Sequence, residues 1–157
     1  MAGSLVAMAA RASPDWEDAP GVAAQAQALR ARVTPLALED SEAYAEVLGV
    51  LAAAADSASD ARRPSLADAL RRASELPLAI AEAAADTATL GAFTVGRCEA
   101  SVRGEALVAV TLAEAATRAA ARLVEINLAA GSHEPHQERA RRAVQEAHGA
   151  LQTAAEG

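Results

Sequence analysis

Apolar positions recur at helical spacing along almost the whole chain, and no stretch alternates apolar and polar residues in the manner of a strand. The pattern predicts a short helix from Leu5 to Ala12, stopped by Ser13-Pro14. A second helix is expected from about Val22 to Ala55, bent at Pro35, which has no N–H to donate. Asp56 to Pro64 reads as a loop. Ser65 is placed to cap a third helix, Leu66 to about Leu90, kinked at Pro77 and ended near Gly91. A fourth is expected from about Gly104 to Ala130, closed by Gly131, and a fifth from Glu134 or Pro135 to about Ala155, with Pro135 in its first turn. Five such units without a linker or repeat predict an all-α, multihelical bundle forming one domain over residues 1–157.

The fourth helix carries the oddest residues. Projected at about 100° per residue, Glu114, Arg118, Arg122 and Glu125 share one stripe, which is expected to face solvent. Leu112, Ala116, Ala119 and Leu123 lie on the other side, the expected buried face. Glu105 and Asn127 fall on that apolar side too, and Asn127 is the only asparagine of the chain. An amide on a buried face must find hydrogen-bond partners or cost a few kcal/mol. The two residues are 22 positions apart, about 33 Å along a straight helix, too far to share a pocket within one subunit.

Composition narrows the function classes. Hydrophobic residues make up 52% of 157, enough for a core, but aromatics are only 2% and alanine supplies much of the apolar content. Alanine buries little area, so extra interface from an oligomer is expected. All 14 basic residues are arginine, and the net charge of −7 argues against nucleic acid or an anionic membrane as partner. Arg139, Arg141 and Arg142 read as a solvated helix face. The single cysteine, Cys98, fits a reducing compartment. No stretch combines the length and charge-free character of a membrane span, and Arg11, Asp15 and Glu17 break any signal-peptide layout, so a cytoplasmic location is expected. His133 and His136 lack an obvious third ligand, so no metal site is expected.

A string of segments then points to a family. GSLVAMAARAS, LALEDSEAYAEVL, ARRPSLADALRRASELPLAIAEAA and LAEAATRAAARLVEINLA occur in that order over about residues 3–131. Together they resemble the formiminotetrahydrofolate cyclodeaminase / methenyltetrahydrofolate cyclohydrolase family. The resemblance implies an intertwined homodimer and folate one-carbon chemistry with no cofactor, a tetrahydrofolate derivative being the substrate. The cyclodeaminase expels ammonia from a formimino group as a ring closes; the cyclohydrolase adds water to the methenyl bridge. Both need a carboxylate within reach of a carbon–nitrogen centre. Residue by residue, it makes Asp40 and Glu105 the proton-transfer candidates, with Arg62 and Asn127 as substrate-binding groups. There are departures: the glycine-rich opening expected before the first helix lies ahead of where this chain starts. Cys98-Glu99 and Gly104-Glu105 stand where the family has Gly-Asn and Ser-Asp, and Leu123 replaces the first asparagine of the terminal motif. The alternative is a degenerate, non-catalytic helical dimer that binds a small molecule or protein.

Overall fold

The computed structural model describes residues 1–36, 39, 45, 47–52, 63–128 and 134–156, and these contain helices and turns but no strand. The helices are α1 (Ala2–Arg11), α2 (Ala19–Val33), α3 (Arg63–Val95), α4 (Arg103–Leu128) and α5 (Glu134–Glu156), with a 3₁₀ turn over Ala100–Val102 and helical backbone at residues 47–52.

Three boundaries differ from the sequence reading, each for a local reason. The second helix is interrupted ahead of Pro35 and not merely bent there, and residues 37, 38, 40–44, 46 and 53–55 of the stretch expected to reach Ala55 lie outside the described residues. The helix stops at Val33, and Thr34 Oγ donates to the Arg30 carbonyl at 2.8 Å as the chain turns into Pro35. Ser65 is not a cap, because α3 begins two residues earlier. Nor does Gly91 end α3, which continues to Val95. That glycine marks a crossing: a Cβ on it would lie 2.8 Å from Val110 Cγ2, so only hydrogen lets α3 and α4 approach there.

Close approach is how this chain builds a core from small side chains. Ala81, Ala85 and Ala88 of α3 meet Ala106, Val110 and Ala113 of α4 and Ala143, Ala147 and Ala150 of α5 in one cluster. A second cluster ties α1 to α2 through Val6, Ala7, Ala10, Val22 and Ala26. The largest fully buried side chains are no bigger than Leu78, Val6, Val110 and Val124. Close contacts at residues 91 and 110, then at 73 and 127, show that α3 and α4 run antiparallel. By length and hydropathy alone, Asp68–Val95 could cross a membrane, contrary to expectation, but 56% of its apolar window is buried inside the bundle. It is a core helix.

The face that α4 buries is also not the expected one. Ala106, Ala109, Val110, Ala113, Thr117, Ala120 and Val124 turn inwards, and so does Glu114. The Glu114 carboxylate lies 3.5 Å from the Arg118 guanidinium and 4.0 Å from His148 Nδ1. Leu123 and Ile126 face outwards. The three arginines of α5 do form a solvated face. Arg139 grips Glu82 through two 2.8 Å hydrogen bonds, while Arg141 and Arg142 pair with Glu138 and Glu146 along their own helix.

Candidate active site

The start of α4 is fixed by a serine. Ser13, buried just past the end of α1, donates to the Ala9 carbonyl at 2.8 Å and accepts the backbone N–H of Glu99 at 2.8 Å. One hydroxyl therefore satisfies both a helix end and the loop before the 3₁₀ turn. Arg97 and Cys98 both donate their N–H to the Thr94 carbonyl, closing α3 tightly. Glu105 follows in the first turn of α4, where the helix dipole favours its negative charge. Its side chain is exposed, not buried as the apolar-face reading required.

Beside this junction lies an open cleft of about 430 Å³, lined by Ser13, Asp15, Trp16, Arg97, Cys98 and Glu99. Trp16 and Phe93 pair with ring centroids 5.7 Å apart, and the Arg97 guanidinium sits 3.8 Å above the Phe93 ring. The cleft thus joins the Trp16 indole, which Phe93 backs from outside the lining, with a cation and two carboxylates, a set suited to a planar, polar heterocycle. Burial pushes the Cys98 thiol up from its ordinary value. Arg103 and a backbone hydrogen bond oppose the shift, while the charges of Glu99 and Glu105 add to it. Glu105 therefore lies within electrostatic reach of the cleft.

Asn127 occupies the opposite end of α4. It is half-buried, and its Nδ2 donates to the Ala73 carbonyl of α3 at 2.9 Å. That carbonyl is the one Pro77 leaves without an i−4 helical donor. The amide thus has a structural partner, and it is held in a fixed pose. Asp40 and Arg62 lie outside the described residues. Of the four residues picked from the sequence, the structure places Glu105 and Asn127, and it sets them at opposite ends of one helix. Sequence reasoning missed Ser13, Trp16 and Arg97. Trp16 and Phe93 are two of the chain's three aromatic residues, which was the signal available for the cleft wall.

With this geometry in place, similarity decides the family. The sequence model of the formiminotransferase-cyclodeaminase family matches residues 1–146. The chain belongs to that family. Among solved structures, it is similar to the formiminotetrahydrofolate cyclodeaminase of Thermotoga maritima, with a TM-score of 0.81 at 22% identity over 99% of this chain and 80% of that one. At that identity the likeness speaks for the shared fold. No curated protein matches the chain. Membership accounts for the order of segments seen in the sequence, from GSLVAMAARAS to the terminal VEINLA, since the family match spans all of them.

Proposed function

We propose that this chain is a folate one-carbon enzyme of the cyclodeaminase type, acting on formiminotetrahydrofolate or on the related methenyl form. The observation that carries the reading is the family match over residues 1–146, joined to an acid at the start of α4 where the family has one. In the cyclodeaminase direction, N10 of the folate attacks the formimino carbon. The N10 proton passes to the Glu105 carboxylate, and the departing nitrogen takes up protons and leaves as ammonia. The carbon then bridges N5 and N10. In the cyclohydrolase direction, the same carboxylate takes a proton from the water that adds to the bridge. Glu105 suits the accepting role because its carboxylate is exposed in the first turn of α4, open to a bound substrate.

On this reading Asp40 is the second proton-transfer group, and Arg62 meets the glutamate tail of the folate as a cation would. The active form is a homodimer of the cytoplasm, and no cofactor takes part. The test is turnover of formiminotetrahydrofolate, followed by formation of the methenyl chromophore, and of methenyltetrahydrofolate, followed by its loss. Glu105→Gln is expected to lower the rate by about a hundredfold or more. Wild-type protein indistinguishable from buffer with both substrates would overturn the proposal.

A further inference from the structure

A second groove lies between the end of α3 and the last turns of α5, and the folate reading makes no use of it. Its volume is about 540 Å³, against about 430 Å³ for the cleft at Trp16. The two helices run parallel. Arg139 holds Glu82 across an offset of 57 positions, and further on residues 89–97 of one side face residues 146–153 of the other. At the same offset Glu146 stands beside Thr89, Ala150 beside Phe93 and Thr153 beside Gly96.

The ends of this groove carry opposite charge. At one end is the Glu146 carboxylate, whose ion-pair partner Arg142 is 3.9 Å away, beyond hydrogen-bond reach. Beside it is the Thr89 hydroxyl. The chain has seven threonines, all described, and Thr34, Thr87, Thr94, Thr111, Thr117 and Thr153 each donate to the carbonyl four residues back. Thr89 does not, so its hydroxyl is uncommitted. At the other end is Arg97, with which no carboxylate pairs among the described residues. Its guanidinium rests on the Phe93 ring and gives one long hydrogen bond, 3.3 Å, to the Phe93 carbonyl. Most of its five N–H groups are left to donate. The Phe93 and Thr94 carbonyls, which would repel an anion at a helix end, both have donors already. Between the ends the floor is apolar: Ala92, Val95 and Ala150, with the edge of Phe93 38% exposed.

We infer that this groove binds a small extended zwitterion, a molecule with an ammonium at one end, a carboxylate at the other and an apolar spacer between. The ammonium meets Glu146 and the Thr89 hydroxyl, and the carboxylate meets the Arg97 guanidinium. The spacer covers Ala92, Val95 and Ala150. Helix rise sets its length. Thr89 and Arg97 are about 12 Å apart along the helix, and the guanidinium bends back over Phe93, about 6 Å from Thr89 on the same scale. A spacer of roughly 6–12 Å fits, which an amino acid with adjacent charges does not supply. Peptides of about three small residues and straight-chain amino acids with a terminal amine share this chemistry. A plain carboxylate would meet Glu146 as a like charge, and a plain amine would meet Arg97 as one. Neither Glu146 nor Arg97 has to give up a strong ion pair to receive the ligand. Arg97 also lines the cleft at Trp16, so the two sites share a wall.

Calorimetric titration of the full chain with ω-aminooctanoate and with trialanine tests the inference without any assay of activity. At least one should bind saturably at one site per chain. Octanoate, octylamine and free alanine should each bind at least about tenfold more weakly. A response to ω-aminooctanoate alone assigns an aliphatic spacer, and a response to trialanine alone assigns a peptide. Glu146→Gln and Arg97→Gln should each weaken binding by about tenfold or more, the usual effect of losing a charge-assisted hydrogen bond. Gly96→Leu probes the groove without changing charge. Its backbone is not left-handed, and a Cβ there would meet no atom within 4 Å, so leucine should fill space, lower the affinity and leave the melting temperature unchanged. Absence of saturable binding by both probes at millimolar concentration would overturn the inference. So would octanoate binding as tightly as ω-aminooctanoate, or an affinity that none of the three substitutions alters.

Discussion

Asn127 supplies the hydrogen bond that Pro77 withholds. Inside α3 the Ala73 carbonyl would normally accept the N–H four residues on, but that residue is proline, and the amide of Asn127 reaches across from α4 to donate instead at 2.9 Å. A buried proline and the chain's single asparagine, 50 positions apart, thus form one device. Asn127→Leu should destabilise the protein by about 1–3 kcal/mol, the cost of a polar group left unpaired. In a Pro77→Ala background the helix regains its own donor, so the same substitution should cost less. Urea unfolding of the four proteins measures the coupling, and equal costs in both backgrounds would show that proline and amide act independently.

Gly91 is the other place where α3 and α4 depend on a single residue. Its absent Cβ would stand 2.8 Å from a methyl of Val110, a buried β-branched side chain with little freedom to turn away. Although alanine favours a helix more than glycine does, Gly91→Ala should therefore destabilise, by about 1–3 kcal/mol. Combined with Val110→Ala, which vacates the space, it should cost less than the sum of the two single changes. Thermal melts of the set would show it. A Gly91→Ala protein that melts higher than wild type would mean the crossing can open without strain.

These two positions mark what the sequence discloses and what it hides. Helical periodicity placed the rods, because that signal lies within a few residues of each position. The buried face of α4 was misjudged because alanine carries little hydrophobic signal. The helix turns Ala106, Ala109, Ala113 and Ala120 inwards, where small side chains let backbones close up, and leaves Leu123 and Ile126 outside. Gly91 looked like a helix stop because a glycine that ends a helix and one that lets two helices cross are the same letter. Asn127 stood out as an oddity, yet its partner lies 54 residues away and is a backbone atom, which no side-chain pattern can announce. The cleft at Trp16 and Arg97 was invisible for the same reason: its walls come from the α1–α2 and α3–α4 junctions.

Ser13 should matter more than its size suggests. It is the hinge pin between the end of α1 and the loop before α4, as donor to Ala9 and acceptor from Glu99. Ser13→Ala leaves the Glu99 N–H without that acceptor and should cost about 1–3 kcal/mol. Trp16, three residues on and the only tryptophan, lines the same cleft, so its emission reports on the packing there. A red shift in the folded variant is expected as the indole gains water. Unchanged emission together with unchanged stability would mean that water replaces the hydroxyl without loss.

Cys98 links the cleft to pH. Burial raises the thiol pKa above its ordinary value of 9.0, with Glu99 and Glu105 adding to the rise and Arg103 opposing it. The unfolded chain ionises its cysteine near the ordinary value while the folded one keeps the proton. The contribution of Cys98 to stability is therefore complete below pH 9.0 and is lost as pH climbs through the higher folded value. Urea midpoints measured from pH 7 to above 10 should fall more steeply for wild type than for Cys98→Ser, which has no thiol to ionise. Other groups titrating in that range are common to both proteins, so the difference between the curves isolates Cys98. The same burial should keep the folded thiol slow to alkylate with iodoacetamide at pH 8, and fast once urea opens the chain. Parallel midpoint curves, or rapid alkylation of the native protein, would mean that the thiol is reached by solvent and that the α3–α4 junction is more open than its hydrogen bonds imply.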